Sequence, residues 1–165
     1  MPTPVAYISL GSNLGDSRGV VRAAIKRLQL FSDEPLGQSS LWQTRPVDCP
    51  SGSPLFVNAI VSLRVKTGES PETLLYKLQG LENEFGREPK KVLNEPRPLD
   101  LDLIALGAEI RNTPRLVLPH PRAHLRAFVL QPLAEIAPEL ILPGQTVTVR
   151  ELLAAVENIG DVTRL

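Results

Sequence analysis

An α/β sandwich of ferredoxin-like topology is what this sequence predicts, and three observations predict it. The chain has 165 residues and is 42% hydrophobic, which suits one core-bearing domain better than two. Its apolar periodicity switches between strand-like and helix-like stretches in the order β-α-β-β-α-β. Cap and turn residues fall at the switches. The expected sheet contains antiparallel strands, with helices flanking it and extra pieces forming a C-terminal extension.

The elements follow in order. Val5–Leu10 is a short apolar block that stops at Gly11-Ser12-Asn13-Leu14-Gly15, a buried strand entering a tight turn. Asp16 or Ser17 caps a helix whose stripe is Val20, Val21, Ala24, Ile25, Leu28 and Phe31, and Pro35 closes the region. A second strand is expected over Gly37–Thr44, then a loop from Arg45 to Pro54 dense in Pro, Ser, Gly and Asp. From Leu55 to Val65 apolar residues alternate with Phe56, Asn58, Ile60, Ser62 and Arg64, a period of two that signals a strand. Ser70-Pro71-Glu72 supplies an N-cap and a proline at the first helical position. Leu74, Leu75, Leu78, Leu81 and Phe85 are that helix's apolar stripe, and Gly86 ends it. Residues 87–98 are polar and hold Pro89, Pro96 and Pro98, hence a loop. Leu99–Leu106 returns as a strand, and Gly107 turns it toward a short partner at Ala108–Ile110. A helix is expected over Arg122–Glu135, then a short extended piece after Gln145 and a last helix around Glu151–Glu157.

Eighteen Lys plus Arg balance eighteen Asp plus Glu, so the chain lacks the basic excess of a generic nucleic-acid binder. A single cysteine, Cys49, excludes an intrachain disulfide framework and a Cys-rich zinc site, and suits a reducing compartment. No apolar run reaches the roughly 18 residues of a membrane span, and Met1-Pro2-Thr3-Pro4 does not read as a signal peptide. The expectation is a soluble cytoplasmic protein with neither nucleic acid nor membrane as partner.

Asp100 and Asp102 carry the most information. Two apart on a strand, both carboxylates project from one face while Leu99, Leu101 and Leu103 point to the other. Their roots are about 6.5–7 Å apart, so they repel unless cations neutralise them. Magnesium bridged by such a pair and by phosphate oxygens would do so; an acidic solvent-facing strand is the alternative. The loop before them carries Arg87, Lys90, Lys91 and Arg97. Those cations suit a polyphosphate, and the loop suits a lid, although a solvated charged loop looks the same. His120 and His124 have helical metal spacing, but Pro119 and Pro121 place His120 ahead of the helix. There it either bonds phosphate beside Arg122 and Arg126 or caps the helix. Gly11–Gly15 lacks the Lys-Ser/Thr of a Walker loop and reads as a strained turn, with Asn13 bonding locally or to a ligand. Phe56 and Phe128 are core residues on composition, yet Phe56 shares a strand face with Asn58, a pairing suited to a flat heteroaromatic ligand. Trp42 reads as packing, and Cys49 as inert.

Together these motifs resemble one family. Tyr7–Gly15, Phe56-Val57-Asn58-Ala59, Arg97-Pro98-Leu99-Asp100-Leu101-Asp102, Leu118-Pro119-His120-Pro121-Arg122 and Arg126–Leu130 are similar, in order and spacing, to 6-hydroxymethyl-7,8-dihydropterin pyrophosphokinases. The resemblance runs from about Val5 to Pro143. It implies one catalytic domain over residues 1–165 that acts as a monomer. The implied reaction transfers pyrophosphate from ATP to the pterin's hydroxymethyl group and releases AMP, a step of folate synthesis. It further implies two magnesium ions on Asp100 and Asp102, with Arg97 and Arg87 neutralising charge at the β-phosphate. Gln79, Glu82, Leu103, Arg115, His120 and Arg126 would surround the nucleotide or support its site. Phe56 and Phe128 would sandwich the pterin, Asn58 would bond its amide edge, and backbone at Thr44 and Val47 would complete the pocket. Pro89, Leu93 and Asn94 depart from the basic residues and the Trp that members carry in the loop. Two other functions share parts of this pattern: a regulatory module that binds nucleotide or pterin, and a metal-dependent nucleotidyl transferase, which would release pyrophosphate instead of AMP.

Overall fold

A computed structural model describes residues 2–45, 54–86, 98–156 and 162–165. Alternating side chains make β1 (Val5–Ser12) and β4 (Phe56–Arg64), which pair antiparallel from Val5↔Arg64 to Ser12↔Val57. β5 (Asp100–Leu106) pairs antiparallel with the other side of β1. The expected second strand is in fact two short ones, β2 (Gly37–Gln38) and β3 (Trp42–Thr44), both against β4. The interruption has a cause at Ser39. Its hydroxyl accepts the Ile60 N–H at 2.9 Å and donates to the Ser40 carbonyl at 2.8 Å, so a side chain supplies one rung of the ladder. β8 (Val162–Arg164), which periodicity did not reveal, adds to the far side of β3. The sheet order is β5-β1-β4-β3-β8, with β2 beside β4. Counting β2 and β3 as one strand, this is the ferredoxin-like order.

Two helices fill one face. α1 (Ser17–Leu28) is capped by the Asp16 carboxylate, which accepts from the Gly19 N–H. α2 (Pro71–Glu84) starts with a Ser70–Thr73 capping box and stops where Gly86, at φ +87°, takes the left-handed conformation. Val21, Ala24, Ile25 and Leu28 of α1 and Leu74, Leu78 and Leu81 of α2 pack on Ile8, Leu10, Val57, Ala59, Val61, Leu101 and Leu103.

The C-terminal extension covers the other face and makes a third layer. The helix expected over Arg122–Glu135 is divided into a 3-10 turn at Ala123–Leu125 and α3 (Ala127–Ile136), with extended backbone at Arg126 between them. α4 (Val149–Ala155) begins at a Thr148–Glu151 capping box, two residues before the expected start of the last helix. Val129, Leu130, Leu133 and Val149 enclose Ile60 and Ile104 in a second core. Ala108–Ile110 does not pair with β5; the short ladder forms later, between β6 (Arg111–Asn112) and β7 (Val117–Leu118). Ile110 stays 66% exposed, so the residues after Gly107 have no apolar face to return to.

Leu10 is fully buried between both strand partners and the first helical layer, whereas Leu30 is 60% exposed. Leu10→Ala should lower unfolding free energy by about 2–5 kcal/mol, and Leu30→Ala by less than about 0.5 kcal/mol. Denaturant midpoints of the two variants check this, and similar midpoints would contradict the burial assignment.

Candidate active site

One row of residues crosses four strands. Asp100 on β5 faces Gly11 on β1, Gly11 faces Asn58 on β4, and Asn58 faces Trp42 on β3. Asp102 and Ser9 pair two residues along. Leu99, Leu101 and Leu103 are buried at 0%, 5% and 4% exposure on the opposite face, which leaves both carboxylates half-buried on the side that α3 partly covers. The row closes because position 11 has no side chain. A Cβ there would lie 3.0 Å from Asn58 Nδ2 and 3.6 Å from the Phe56 ring. Thr44, buried like Asn58, donates its hydroxyl to Asn58 Oδ1 at 2.5 Å. That bond fixes which end of the amide turns toward Gly11. The Thr44 hydroxyl thus orients Asn58, a role separate from the backbone contribution that the resemblance implies for Thr44.

The edge strand is held from outside. Among the described residues β5 has no strand on its far side, and the Leu101 N–H, between the two aspartates, donates to Glu82 Oε2 of α2 at 2.8 Å. One turn further, the register against β1 shifts so that Ile104 falls between paired residues. Its carbonyl accepts the His120 N–H at 2.8 Å, and this bulge docks the 119–126 segment on the edge. His120 Nδ1 accepts from the Arg122 N–H at 3.2 Å, which places the ring proton on Nε2. Burial lowers the His120 pKa, and Arg126 and Arg122 lower it further against the pull of Asp100. Arg126 is half-buried, with its guanidinium carbon 5.3 Å from the Phe128 ring centroid. Burial lowers its pKa too, while Asp102 and Asp100 oppose that.

Asp100, Asp102, His120, Arg126 and Phe128 thus meet at the edge, next to the Thr44–Asn58–Phe56 wall. Glu82 joins through its carboxylate, which accepts from the Leu101 backbone N–H. Leu103 is in the first core, so it has only backbone to offer a ligand. Gln79 is exposed on α2 and Arg115 is exposed between β6 and β7. Asn13 is buried at the end of β1, where its amide donates to the Pro54 carbonyl at 3.4 Å. Arg87, Arg97, Val47 and Cys49 lie outside the described residues, as does the loop read as a lid. Among the described residues no cluster of three or more His, Cys, Asp or Glu is assembled, so the aspartates stand as a pair. Trp42 does more than pack: its indole N–H bonds Glu135, a contact 93 residues apart that spacing cannot reveal.

The family model of 7,8-dihydro-6-hydroxymethylpterin-pyrophosphokinase matches residues 7–138, from β1 to just past α3. The chain belongs to this pyrophosphokinase family. It is 41% identical to the 2-amino-4-hydroxy-6-hydroxymethyldihydropteridine pyrophosphokinase of Haemophilus influenzae, over 86% of this chain and 87% of that protein. The Pseudomonas aeruginosa protein of the same name is 39% identical over 90% of each chain. A folic acid synthesis protein of Pneumocystis carinii is 38% identical over 94% of this chain, which spans only 20% of that longer protein. In fold the chain is similar to a crystal structure of HPPK-DHPS in complex with substrates, with a TM-score of 0.76 at 13% identity. That likeness covers all of this chain and 46% of the other. α4 and β8 lie beyond the family match, so the pyrophosphokinase signature ends where the third layer is half built.

The environment of His120 has a measurable consequence. Its folded pKa lies below the ordinary value of 6.5, so between the two values the unfolded chain binds more protons than the folded one. Stability is therefore full above 6.5 and declines as pH falls through the folded value. The His120 ring should titrate below 6.5 by NMR in the metal-free protein, and His120→Gln should flatten the loss of unfolding free energy on acidification. A ring that titrates above 6.5 would contradict the burial argument.

Proposed function

We infer that this chain catalyses the pyrophosphokinase reaction of its family, in which the hydroxymethyl oxygen of the reduced pterin attacks the β-phosphorus of ATP. The bond between the β-phosphorus and the oxygen bridging it to the α-phosphate breaks. AMP leaves, the pterin diphosphate forms for folate synthesis, and the hydroxyl proton is released. The observation that carries this reading is the single row placing Asp100 and Asn58 on either side of Gly11. A phosphate-handling edge and an amide-and-aromatic wall then share one face, as transfer between a triphosphate and a flat heterocycle requires.

Magnesium fits this donor set. The protein offers two half-buried carboxylates and no third anionic ligand among the described residues, and this ion is held by one or two carboxylates with substrate phosphates completing its shell. Asp100 and Asp102 would hold two ions. When bound, they supply Lewis-acid neutralisation of the triphosphate and of the attacking oxygen. The chain's own groups do the positioning. Glu82 holds the edge strand so that both aspartates stay on one face, while Arg126 and the Nε2–H of His120 supply donors for phosphate oxygens. Arg115 and Gln79 extend the nucleotide site, and Leu103 meets it with backbone. Arg87 and Arg97 add the cations that meet charge at the β-phosphate. Phe56 and Phe128 stack on the pterin rings, Asn58 bonds their amide edge as Thr44 orients it, and Val47 completes the pocket. The whole chain acts as one domain and as a monomer, in the cytoplasm. Incubation with ATP, magnesium and the reduced pterin should yield AMP and pterin diphosphate; release of pyrophosphate without AMP would overturn the reading in favour of nucleotidyl transfer.

Asp100→Asn and Asp102→Asn should each lower turnover at least about hundredfold with unchanged thermal midpoints, since Lewis-acid stabilisation is worth several kcal/mol. Turnover near wild type in both would remove the two-metal site. Phe128→Ala should weaken pterin binding about fivefold or more and leave ATP binding nearly unchanged, because stacking adds roughly 0.5–1.5 kcal/mol to burial. Calorimetry with each ligand separates the two, and equal losses would make Phe128 a core residue only.

A further inference from the structure

Glu135, in the last turn of α3, has no part in the chemistry described above, yet its carboxylate accepts three hydrogen bonds near the site. One oxygen accepts the Ser40 backbone N–H at 2.9 Å and the Trp42 indole N–H at 3.0 Å, and the other accepts the Ser40 hydroxyl. Partial burial would raise its pKa, but the bonds from Ser40 and Trp42, with Arg164 of β8 nearby, hold the carboxyl below its ordinary range. Hydrogen bonds to an ionised acceptor are about twice as strong as neutral ones, so the contact is more than an incidental surface pairing.

Both ends of this clasp lead to the pterin slot. Ser40 lies in the break between β2 and β3, Trp42 is paired with Asn58, and Thr44, two residues on, orients the Asn58 amide. On the helix, Phe128 precedes Glu135 by two turns, which puts the two side chains on one side of α3. Local bonds do little to hold the start of that helix. Arg126 at its N-cap makes no side-chain cap bond, and Pro132 lacks the N–H that would reach the Phe128 carbonyl. Val129, Leu130 and Leu133 seat α3 on the sheet, but apolar packing is less directional than a hydrogen bond and constrains the roll of the helix less sharply. A carboxylate held by three donors on β3 and its preceding turn is directional.

We propose that Glu135 is a positioning residue that fixes the roll of α3 and so sets Phe128 opposite the Asn58–Phe56 wall. This deepens the pyrophosphokinase reading and rests on it for the identity of the slot. The test compares Glu135→Ala, Glu135→Gln and Trp42→Phe in the full chain, by thermal midpoint and by calorimetric binding of the reduced pterin and of a non-hydrolysable ATP analogue. Glu135→Ala should weaken pterin binding about fivefold and change binding of the ATP analogue less than about twofold. Glu135→Gln keeps an acceptor oxygen and the volume and should recover most of the loss; Trp42→Phe removes one donor and should fall between. Pterin affinity unchanged in a folded Glu135→Ala or Trp42→Phe protein would overturn the proposal, as would equal losses for both ligands. Phe128→Ala tells the two ideas apart. Weakened pterin binding there with none in the Glu135 and Trp42 variants sinks only the positioning role, whereas a wild-type protein that binds no pterin sinks the reading beneath it.

Discussion

β1 is hydrogen-bonded on both flanks, and its register sets Gly11 opposite Asp100 on one side and opposite Asn58 on the other. Side chains alternate with a period of two, so a slip of one residue on the β5 flank would drive both carboxylates into the first core and push Leu99, Leu101 and Leu103 toward water. Each half of that exchange is unfavourable: burying an unpaired carboxylate costs several kcal/mol, and exposing a buried leucine about 1.5–3 kcal/mol. The apolar packing of α1 and α2 under the sheet therefore does two things at once. It stabilises the domain, and it specifies which residues stand on the site face.

That second face changes character along its strands. On β4 the switch falls between Ile60, enclosed by α3 and α4, and Asn58, which lies in the row with Gly11 and Asp100; on β5 it falls between Ile104 and Asp102. Ser9, buried at 5% exposure, lies across from both Ile60 and Asp102 at the boundary. α3 ends its cover there, with Leu130 and Leu133 fully buried in the core and Phe128 only partly buried at the margin. One short helix thus closes a core with one set of side chains and leaves Phe128 at its margin. Its orientation matters more than its length suggests.

Much of this was legible in sequence because it is local. The strict alternation from Val57 to Leu63, the Ser70-Pro71 helix start and the Asp100–Asp102 pair each declare themselves within a few residues, and each is in place. Asn58 beside Phe56 was legible for the same reason. What stayed hidden depends on distant partners. The Ser39 hydroxyl that splits the second strand answers an N–H on β4, β8 is three residues long and exists only because β3 offers an edge, and Glu135 reaches Trp42 across 93 positions. The bulge at Ile104 is equally invisible, since nothing in Leu103-Ile104-Ala105 marks one residue as extra until the 119–126 segment docks on it. Gly11 reads as part of a turn from sequence; its use as a gap for the Asn58 amide appears only once β4 is alongside.

The charges at the edge explain why position 120 is a histidine and not a further lysine or arginine. Arg126 and Arg122 already press on that position, and burial adds to their effect, so a permanent cation there would be repelled and poorly solvated. A neutral imidazole avoids both penalties. With Nδ1 occupied by the Arg122 N–H, the ring keeps a fixed donor at Nε2 and a fixed plane. Arg126 differs because its cation has compensation, from the Phe128 ring face at 5.3 Å and from Asp102 and Asp100. On the proposed reading, phosphate oxygens would meet two donors there, the Arg126 guanidinium and the His120 Nε2–H. One side chain thus bridges the carboxylate edge and the helix that carries Phe128.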